Sequence, residues 1–452
     1  MTMAIIPNFW IGAKLSDRCI HRFKPLAPYL LLLFSITRWK KYRMREANLK
    51  SRLIDLPHDV KENILLRLPT KSIFCILCAS KAFSSIIDSS LFASLHMSAL
   101  LNNGMNSVAE VPQLMLFDRS MTKEYFEIQL QPLKYNGKSD LTKSDYNFPV
   151  SKILSKSIYN VDFIFHNLVF FKTDSIFGGP SYLLNPFKRE VLKIPTTETD
   201  RYLVDWYGMG FDSTINTCKI VHVYKDGKND KLAAHVYVLR PRSCFWRDIQ
   251  AVPPCDLSRV SVCAYGDMHW LVMKGSHRDI GGGRSHIISF DFKKEEFCWT
   301  PHPTLHEVCN NLLSLNDYYL LNVKGSMTIV DISSRKYVEI WVMKNYGKKE
   351  WSLDYKIDTQ RFVERPMGMF EYYTCGEWEK GIFFLQENMG WGRYRPSVYY
   401  ILDLQCASMK RMEKLWSGFE KRIFSYTGSL ISLKCYGDFV QATTKSNVWH
   451  FT

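Results

Sequence analysis

From residue 114 almost to its end, the chain is a succession of short runs rich in Val, Ile, Tyr, Phe and Trp. Gly, Asn, Asp and Pro cut these runs apart. Examples are LMLFD (114–118), YFEIQL (125–130), VDFIFHNLVFFK (161–172), KIVHVY (219–224), HVYVL (235–239) and HWLVM (269–273). HIISFDF (286–292), MTIVDI (327–332), GIFFL (381–385) and SVYYILDL (397–404) continue the series. Such runs read as strands bounded by turn residues. No long amphipathic helix comes between them, which argues against a parallel sheet built from βαβ units. One phrase returns: an apolar strand ending in Asn or Asp, a polar turn, then a second strand. It ends at Asn185, Asp291, Asp331 and Asp403. Asx side chains favour such corners because they hydrogen-bond the local backbone. Hairpins repeated without helices imply blades around an axis or stacked sheets; a propeller-like domain is expected, although the spacing of the repeats is uneven.

Ahead of the strands lies a different pattern. Residues 54–97 read as three short helices in a row. Leu56-Pro57 opens the first, since proline's missing N–H costs nothing there. Val60, Ile64, Leu65 and Leu68 form its apolar stripe. Pro69 ends it, and Thr70 is a candidate N-cap for the second helix, which carries Ile73, Ile76 and Leu77. Lys81 to Ile87 is the third, with Phe83, Ile86 and Ile87 as its apolar face. A module of about 45 residues is marginal alone, so apolar surface should remain for a partner or for the rest of the chain.

The order Leu56-Pro57, Ile64, Arg67-Leu68-Pro69, Lys71-Ser72-Ile73, Cys78, Lys81, Ile86-Ile87 resembles an F-box. That resemblance implies docking on a Skp-type adaptor, and through it a cullin-based (SCF-type) ubiquitin ligase. By position, the adaptor contacts would come from Leu56, Pro57, Val60, Ile64, Leu68, Pro69, Ile73 and Phe83. The family usually has Trp where this chain has Phe83 and Val where it has Ala79. The lost apolar area is worth roughly 1–2 kcal/mol of docking.

The later phrases carry a resemblance too. LLNPFKREVLKIP (183–195), YGMGFDSTINTCKIVHVY (207–224), CFWRDI (244–249), YGDMHWLV (265–272), FDFKKEEF (290–297) and VEIWVMKNYGKKEW (338–351) are similar, in order, to the phrases of the plant F-box-associated domain. The kelch signature of paired glycines plus aromatics does not recur. The expected architecture is an α+β multidomain chain, a small three-helix F-box module followed by a large all-β, propeller-like (kelch-like) domain. The expected boundaries are 1–50 for a basic extension, 51–97 for the F-box, 98–146 for a linker and first strands, and 147–452 for the F-box-associated domain.

Charge is informative through its position. The net charge is +15, and residues 1–50 hold ten Lys or Arg against two Asp or Glu. More than half of the excess sits outside the strand-rich region, so a basic nucleic-acid groove across it is not expected. LAPYLLLLFSI (26–36) is too short to cross a bilayer. It reads as a membrane-surface element, a poorly ordered tail, or residues ahead of a true start at Met44. The 12 scattered Cys imply reduced thiols in the cytosol or nucleus.

No catalytic motif is present, so an enzyme is not expected, and neither a cofactor nor a metal is called for. Cys75-x-x-Cys78 has no second pair nearby. His302 and His306 lie among prolines. Tyr207 to Gly210 reads as a turn, Asp291, Asp331 and Asp403 as turn formers, and Trp246, Trp270, Trp341 and Trp351 as repeat-equivalent core residues. Trp378, Trp391, Tyr394 and Trp416 lie in less regular stretches and are the candidates for contacting a target protein. What the resemblance implies is a substrate receptor. The alternatives are a free-standing, lectin-like propeller and a receptor that has lost its ligase.

Overall fold

The computed structural model describes residues 56–79, 81–101, 110–121, 126–135, 141–144, 148–150, 159–173, 180–195, 204–226, 231–240, 245–272, 286–303, 318–332, 337–358, 370–378, 381–388, 397–406, 408–412, 420–436 and 438–441. The expectations for residues 1–50, and for the glycine clusters at 178–179 and 281–283, fall outside them. Among the described residues no helix is long and apolar enough to cross a membrane.

The helical module has four helices rather than three: α1 (His58–Leu65), α2 (Thr70–Ala79), α3 (Ser84–Ile87), entered through a 3-10 turn at Lys81–Phe83, and α4 (Ser90–Leu101). The fourth is apolar on most sides, because it packs at once on the module and on the strands, and so shows no amphipathic stripe. Pro57 stands just before α1, where its carbonyl accepts from Lys61 N–H at 3.1 Å. Thr70 is the first residue of α2 rather than its cap. Its N–H donates to the Glu110 carboxylate at 2.5 Å, so a residue 40 positions away serves the helix N-terminus.

The strands form six antiparallel sheets. β1 (Gln113–Met121), β2 (Phe126–Tyr135) and β3 (Leu141–Lys143) open the first blade, with β4 (Phe148–Pro149) beside β2. The second holds β5 (Tyr159–Phe165), β6 (Leu168–Thr173), β7 (Ser181–Asn185) and β8 (Glu190–Ile194). The third holds β9 (Asp205–Asp212), β10 (Thr217–Asp226), β11 (Lys231–Val238) and β12 (Trp246–Ile249). The fourth holds β13 (Leu257–Ala264), β14 (Asp267–Val272), β15 (His286–Asp291) and β16 (Glu296–Pro301). β17 (Tyr318–Val323), β18 (Ser326–Asp331), β19 (Tyr337–Asn345) and β20 (Glu350–Asp358) make the fifth. β21 (Phe370–Trp378), β22 (Gly381–Asn388), β23 (Ser397–Asp403) and β24 (Ser408–Met412) make the sixth. β25 (Glu420–Tyr426) then returns to pair with β1, Gln113 opposite Tyr426, and β26 (Asp438–Gln441) covers the edge of β8. The strands β25, β5, β9, β13, β17 and β21 meet their neighbours around a ring, which is the wall of a six-bladed propeller. β1 and β2 are blade strands, so the propeller begins ahead of the expected boundary at 147.

The repeated corner is seen directly. The side-chain oxygen of Asn185 accepts from the N–H groups of Phe187 and Lys188, that of Asp291 from Lys293 and Lys294, and that of Asp403 from Gln405 and Cys406. Each joins the third strand of a blade to the fourth. In the fifth blade this corner belongs to Asn345, which accepts from Lys348 N–H at 3.0 Å. Asp331 instead ends a second strand, so it is not the equivalent residue. Arg189, Glu295 and Lys349 close these turns at positive φ.

Three further expectations are corrected. Residues 161–172 are not one strand: His166 at φ 54° and Asn167 fold them into the hairpin of β5 and β6. Tyr207 to Gly210 is not a turn but the middle of β9. A Cβ on Gly208 would stand 2.6 Å from Met268 Cγ, and one on Gly210 would overlap the Phe292 ring and the Gly266 carbonyl. The glycines are there because neighbouring blades press together near the axis. Nor are the four tryptophans equivalent. Only Trp246 and Trp351 correspond: each opens a fourth strand or nearly so, and donates its indole N–H to the Pro195 or Pro301 carbonyl of the preceding blade at 2.7 and 2.8 Å.

Candidate functional site

Two regions offer binding surface, and they lie on opposite faces of the propeller. The first is the helical module. Leu65, Leu68, Ile73, Phe83, Ile86, Ile87, Phe92 and Ala93 form its core, and Leu430, from the segment after β25, completes it. The eight residues expected to touch an adaptor therefore divide. Pro57 and Val60 are exposed, and Leu56, Ile64 and Pro69 are half-buried. Leu68, Ile73 and Phe83 are interior residues of the module itself. At Phe83, then, a smaller side chain is felt first in the module's own packing.

The module is bound tightly to the blades. Met97 and Leu101 of α4 join the core formed by Phe163, Phe170, Met209 and Ile431. The segment 427–433 runs between module and blade. Lys188 Nζ donates to the Leu430 carbonyl at 2.7 Å, Asn185 Nδ2 to Ile431 at 2.8 Å, and Leu433 N–H to the Glu190 carboxylate at 2.6 Å. His166 Nδ1 lies 2.8 Å from Thr427 Oγ1, and burial lowers the pKa of this imidazole to about 4. Gly428 sits so near Thr70 that a Cβ there would stand 2.5 Å from that of the threonine.

The second region is at the far end of the axis. Leu101 and Thr427 touch the turns that follow β5 and β13, whereas the opposite ends of the same strands surround a cavity of about 360 Å³. Strands of this length separate the two faces by roughly 20 Å. The cavity carries Asp162, Lys172, Asp205 and Arg422, with the hydroxyls of Ser258 and Ser261. Lys172 forms an ion pair with Asp205, whose other oxygen is 3.4 Å from His222 Nε2. Tyr207 stacks on His222 with the rings 4.2 Å apart. The lining therefore offers donors and acceptors of both signs around a largely polar space.

Neither Asp162 nor Arg422 was among the sequence candidates. The available signal was a lone carboxylate inside the apolar run Val161-Asp162-Phe163. Trp378, a target candidate, is 7% exposed in β21. Trp391, Tyr394 and Trp416 lie outside the described residues.

Comparison with known proteins agrees with this layout. Residues 53–95 match the F-box domain family, and residues 114–434, well over half of the chain, match the F-box associated beta propeller domain family. An F-box/kelch-repeat protein of Arabidopsis thaliana is 25% identical over 306 residues, covering 66% of this chain and 78% of the relative. An F-box protein of the same plant is 23% identical over 401 residues, 79% of this chain and 87% of the relative. An F-box/LRR-repeat protein, again from Arabidopsis thaliana, is 24% identical over 327 residues and 69% of each chain. Among solved structures, the tricorn protease gives a TM-score of 0.27 at 10% identity, over 65% of this chain and 39% of that one. With both families matched in order along one chain, a helical module followed by six blades, this protein belongs to the F-box proteins whose second domain is an F-box associated β-propeller.

Proposed function

We propose that the chain is the target-recognition subunit of an SCF-type ubiquitin ligase. The observation that carries this reading is the opposition of its two surfaces. Pro57, just before α1, and Val60 on it are left uncovered by the other described residues, and the propeller presents a polar cavity at the far end of its axis. A Skp-type adaptor would hold the first and lead to a cullin, while a target protein would be held at the second. The chain would do no bond chemistry itself. It would raise the effective concentration of the target beside the ligase. Such a role places it in the cytosol or nucleus.

The test is co-purification of the full chain with a Skp-type adaptor, beside a Pro57→Ala/Val60→Glu variant. Both residues are exposed, so the variant should keep its circular dichroism spectrum and melting temperature while losing the adaptor. A folded wild-type chain that binds no adaptor would overturn the proposal and leave a free-standing propeller, lectin-like or a receptor without a ligase.

A further inference from the structure

The helical module does not cover the whole of the propeller face that carries it. The turns between first and second strands and the corners between third and fourth strands lie at that face, where Thr427 and Leu101 touch two of the turns. Blades three, four and five present exposed side chains there. Phe245, just before β12, is 60% exposed, and Ile215, in the turn after β9, is 43% exposed. Lys293 and Lys294 form the corner of blade four, Lys348 belongs to that of blade five, and Lys324 to the turn after β17. All four lysines are exposed.

Internal pairing gathers these residues into one surface. Lys219 Nζ is 2.7 Å from Asp212, at the end of β9, and 2.7 Å from Glu295, the residue after Lys294. Arg247, two residues after Phe245, pairs with the same Glu295. The turn of Ile215, Phe245 and the corner of blade four are thus held at one cluster. Tyr346 of the fifth corner donates to Asp267 of blade four at 3.0 Å, with Lys349 Nζ 3.5 Å from its ring centre, so the next corner closes on the same blade. The interior acids are taken up by these partners, and Lys344 by Asp354. Among the described residues, the ammonium groups of Lys293, Lys294, Lys324 and Lys348 have no ion-pair partner, and the exposed carboxylates at the same corners are Glu296 and Glu350. A modest positive excess mixed with exposed apolar groups suits an acidic protein surface better than a polyanion, which calls for a denser basic stripe.

Reach decides which protein. α1 has eight residues and is about 12 Å long. The chain then turns into Thr70, which packs on Gly428 beside the blades. Pro57 and Val60 therefore stand within about 20 Å of the propeller face. A domain of about 100 residues is roughly 30 Å across, so one held at Pro57 and Val60 has the breadth to rest on the face as well.

We infer that this face of blades three to five is a second contact for the protein that the module holds, made through an acidic surface of that protein carrying an apolar patch. Lys293, Lys294, Lys324 and Lys348 attract its carboxylates, and Phe245 is the aromatic anchor. The inference rests on the receptor reading for its partner, a Skp-type adaptor, and deepens it by adding an interface outside the F-box.

The test is biolayer interferometry of purified adaptor on the full chain at about 50 mM and about 300 mM sodium chloride. Lys293→Glu/Lys294→Glu should lower the association rate about tenfold at the lower salt, and Lys293→Gln/Lys294→Gln by less. The gap to wild type should close at the higher salt. Phe245→Ser should raise the dissociation rate at both. Lys231→Glu, at the exposed start of β11 on the opposite face, makes the same change of charge as Lys294→Glu. It should leave the association rate as in wild type, whereas Lys294→Glu lowers it. Carbodiimide cross-linking, which joins an amine to a carboxylate in contact, should link the adaptor to Lys293, Lys294 or Lys348 and not to Lys231. All the substituted residues are exposed, so melting temperatures should stay at the wild-type value. Association unchanged by the double reversal, or slowed equally by Lys231→Glu, would overturn the second contact and leave the receptor reading standing. A folded wild-type chain that binds no adaptor would overturn the receptor reading itself, and this contact with it.

Discussion

Leu430 belongs by sequence to the segment after the last blade-closing strand, yet its side chain is 1% exposed inside the helical module. Leu430→Ala removes that anchor while leaving its backbone carbonyl, the acceptor of Lys188, in place. Truncating a buried leucine costs about 3 kcal/mol, the lost transfer free energy plus the cavity left behind. None of its neighbours in that core is a blade residue, so the loss falls on the helices. If the helices open locally, about 3 kcal/mol is roughly a 100-fold loss of amide protection in α1 to α3. Hydrogen–deuterium exchange by mass spectrometry reads this directly, peptide by peptide. Strands β10, β14 and β18 should exchange as in wild type. Unchanged protection of the helices would refute the claim that the strap holds the module, and equal loss in helices and strands would show one cooperative unit instead of a docked one.

Gly210→Ala should lower the melting temperature sharply or prevent folding, because its Cβ meets a ring and a backbone carbonyl. Gly347→Ala, whose Cβ would stand 3.5 Å from Asn345 Oδ1, should be nearly neutral in the same melt. Lys219, 4% exposed, is 2.7 Å from both Asp212 and Glu295 and ties the third blade to the fourth. Removing it in Lys219→Met strands the buried Asp212 carboxylate, while Glu295 keeps its pair with Arg247, and urea unfolding should show a loss of about 3 kcal/mol. Burial, reinforced by Asp291, raises the Asp267 carboxyl from its ordinary 3.8 to about 6. Because the folded state holds that proton more tightly, the contribution is complete below about pH 4 and is lost as pH rises through about 6. Asp267→Asn, which keeps an oxygen able to accept from Phe292 N–H or Tyr346 O–H, should show a smaller fall in urea midpoint between those pH values than wild type.

What the sequence determined by itself was local. Asn185, Asp291 and Asp403 set hairpin corners because their side chains reach backbone groups two and three residues on. Leu56-Pro57 placed the start of α1, and the alternation of apolar residues placed most strands. The helix α4 escaped because a segment buried on several sides has no stripe to read. The rest was decided by contacts between residues far apart. Nothing local says that Gln113 pairs with Tyr426, or that Glu110 serves the first N–H of α2. The glycines of β9 looked like a turn because a glycine's reason for being there can be another blade's side chain. The same holds for the candidate site. Which F-box residues remain uncovered depends on Leu430 and α4, and Asp162 reaches the axial cavity only because two cores, on opposite faces of one strand, each claim a neighbour. Hydrogen bonds and propensities within a few residues are written in the chain in order; closure of a ring is a property of its assembled blades.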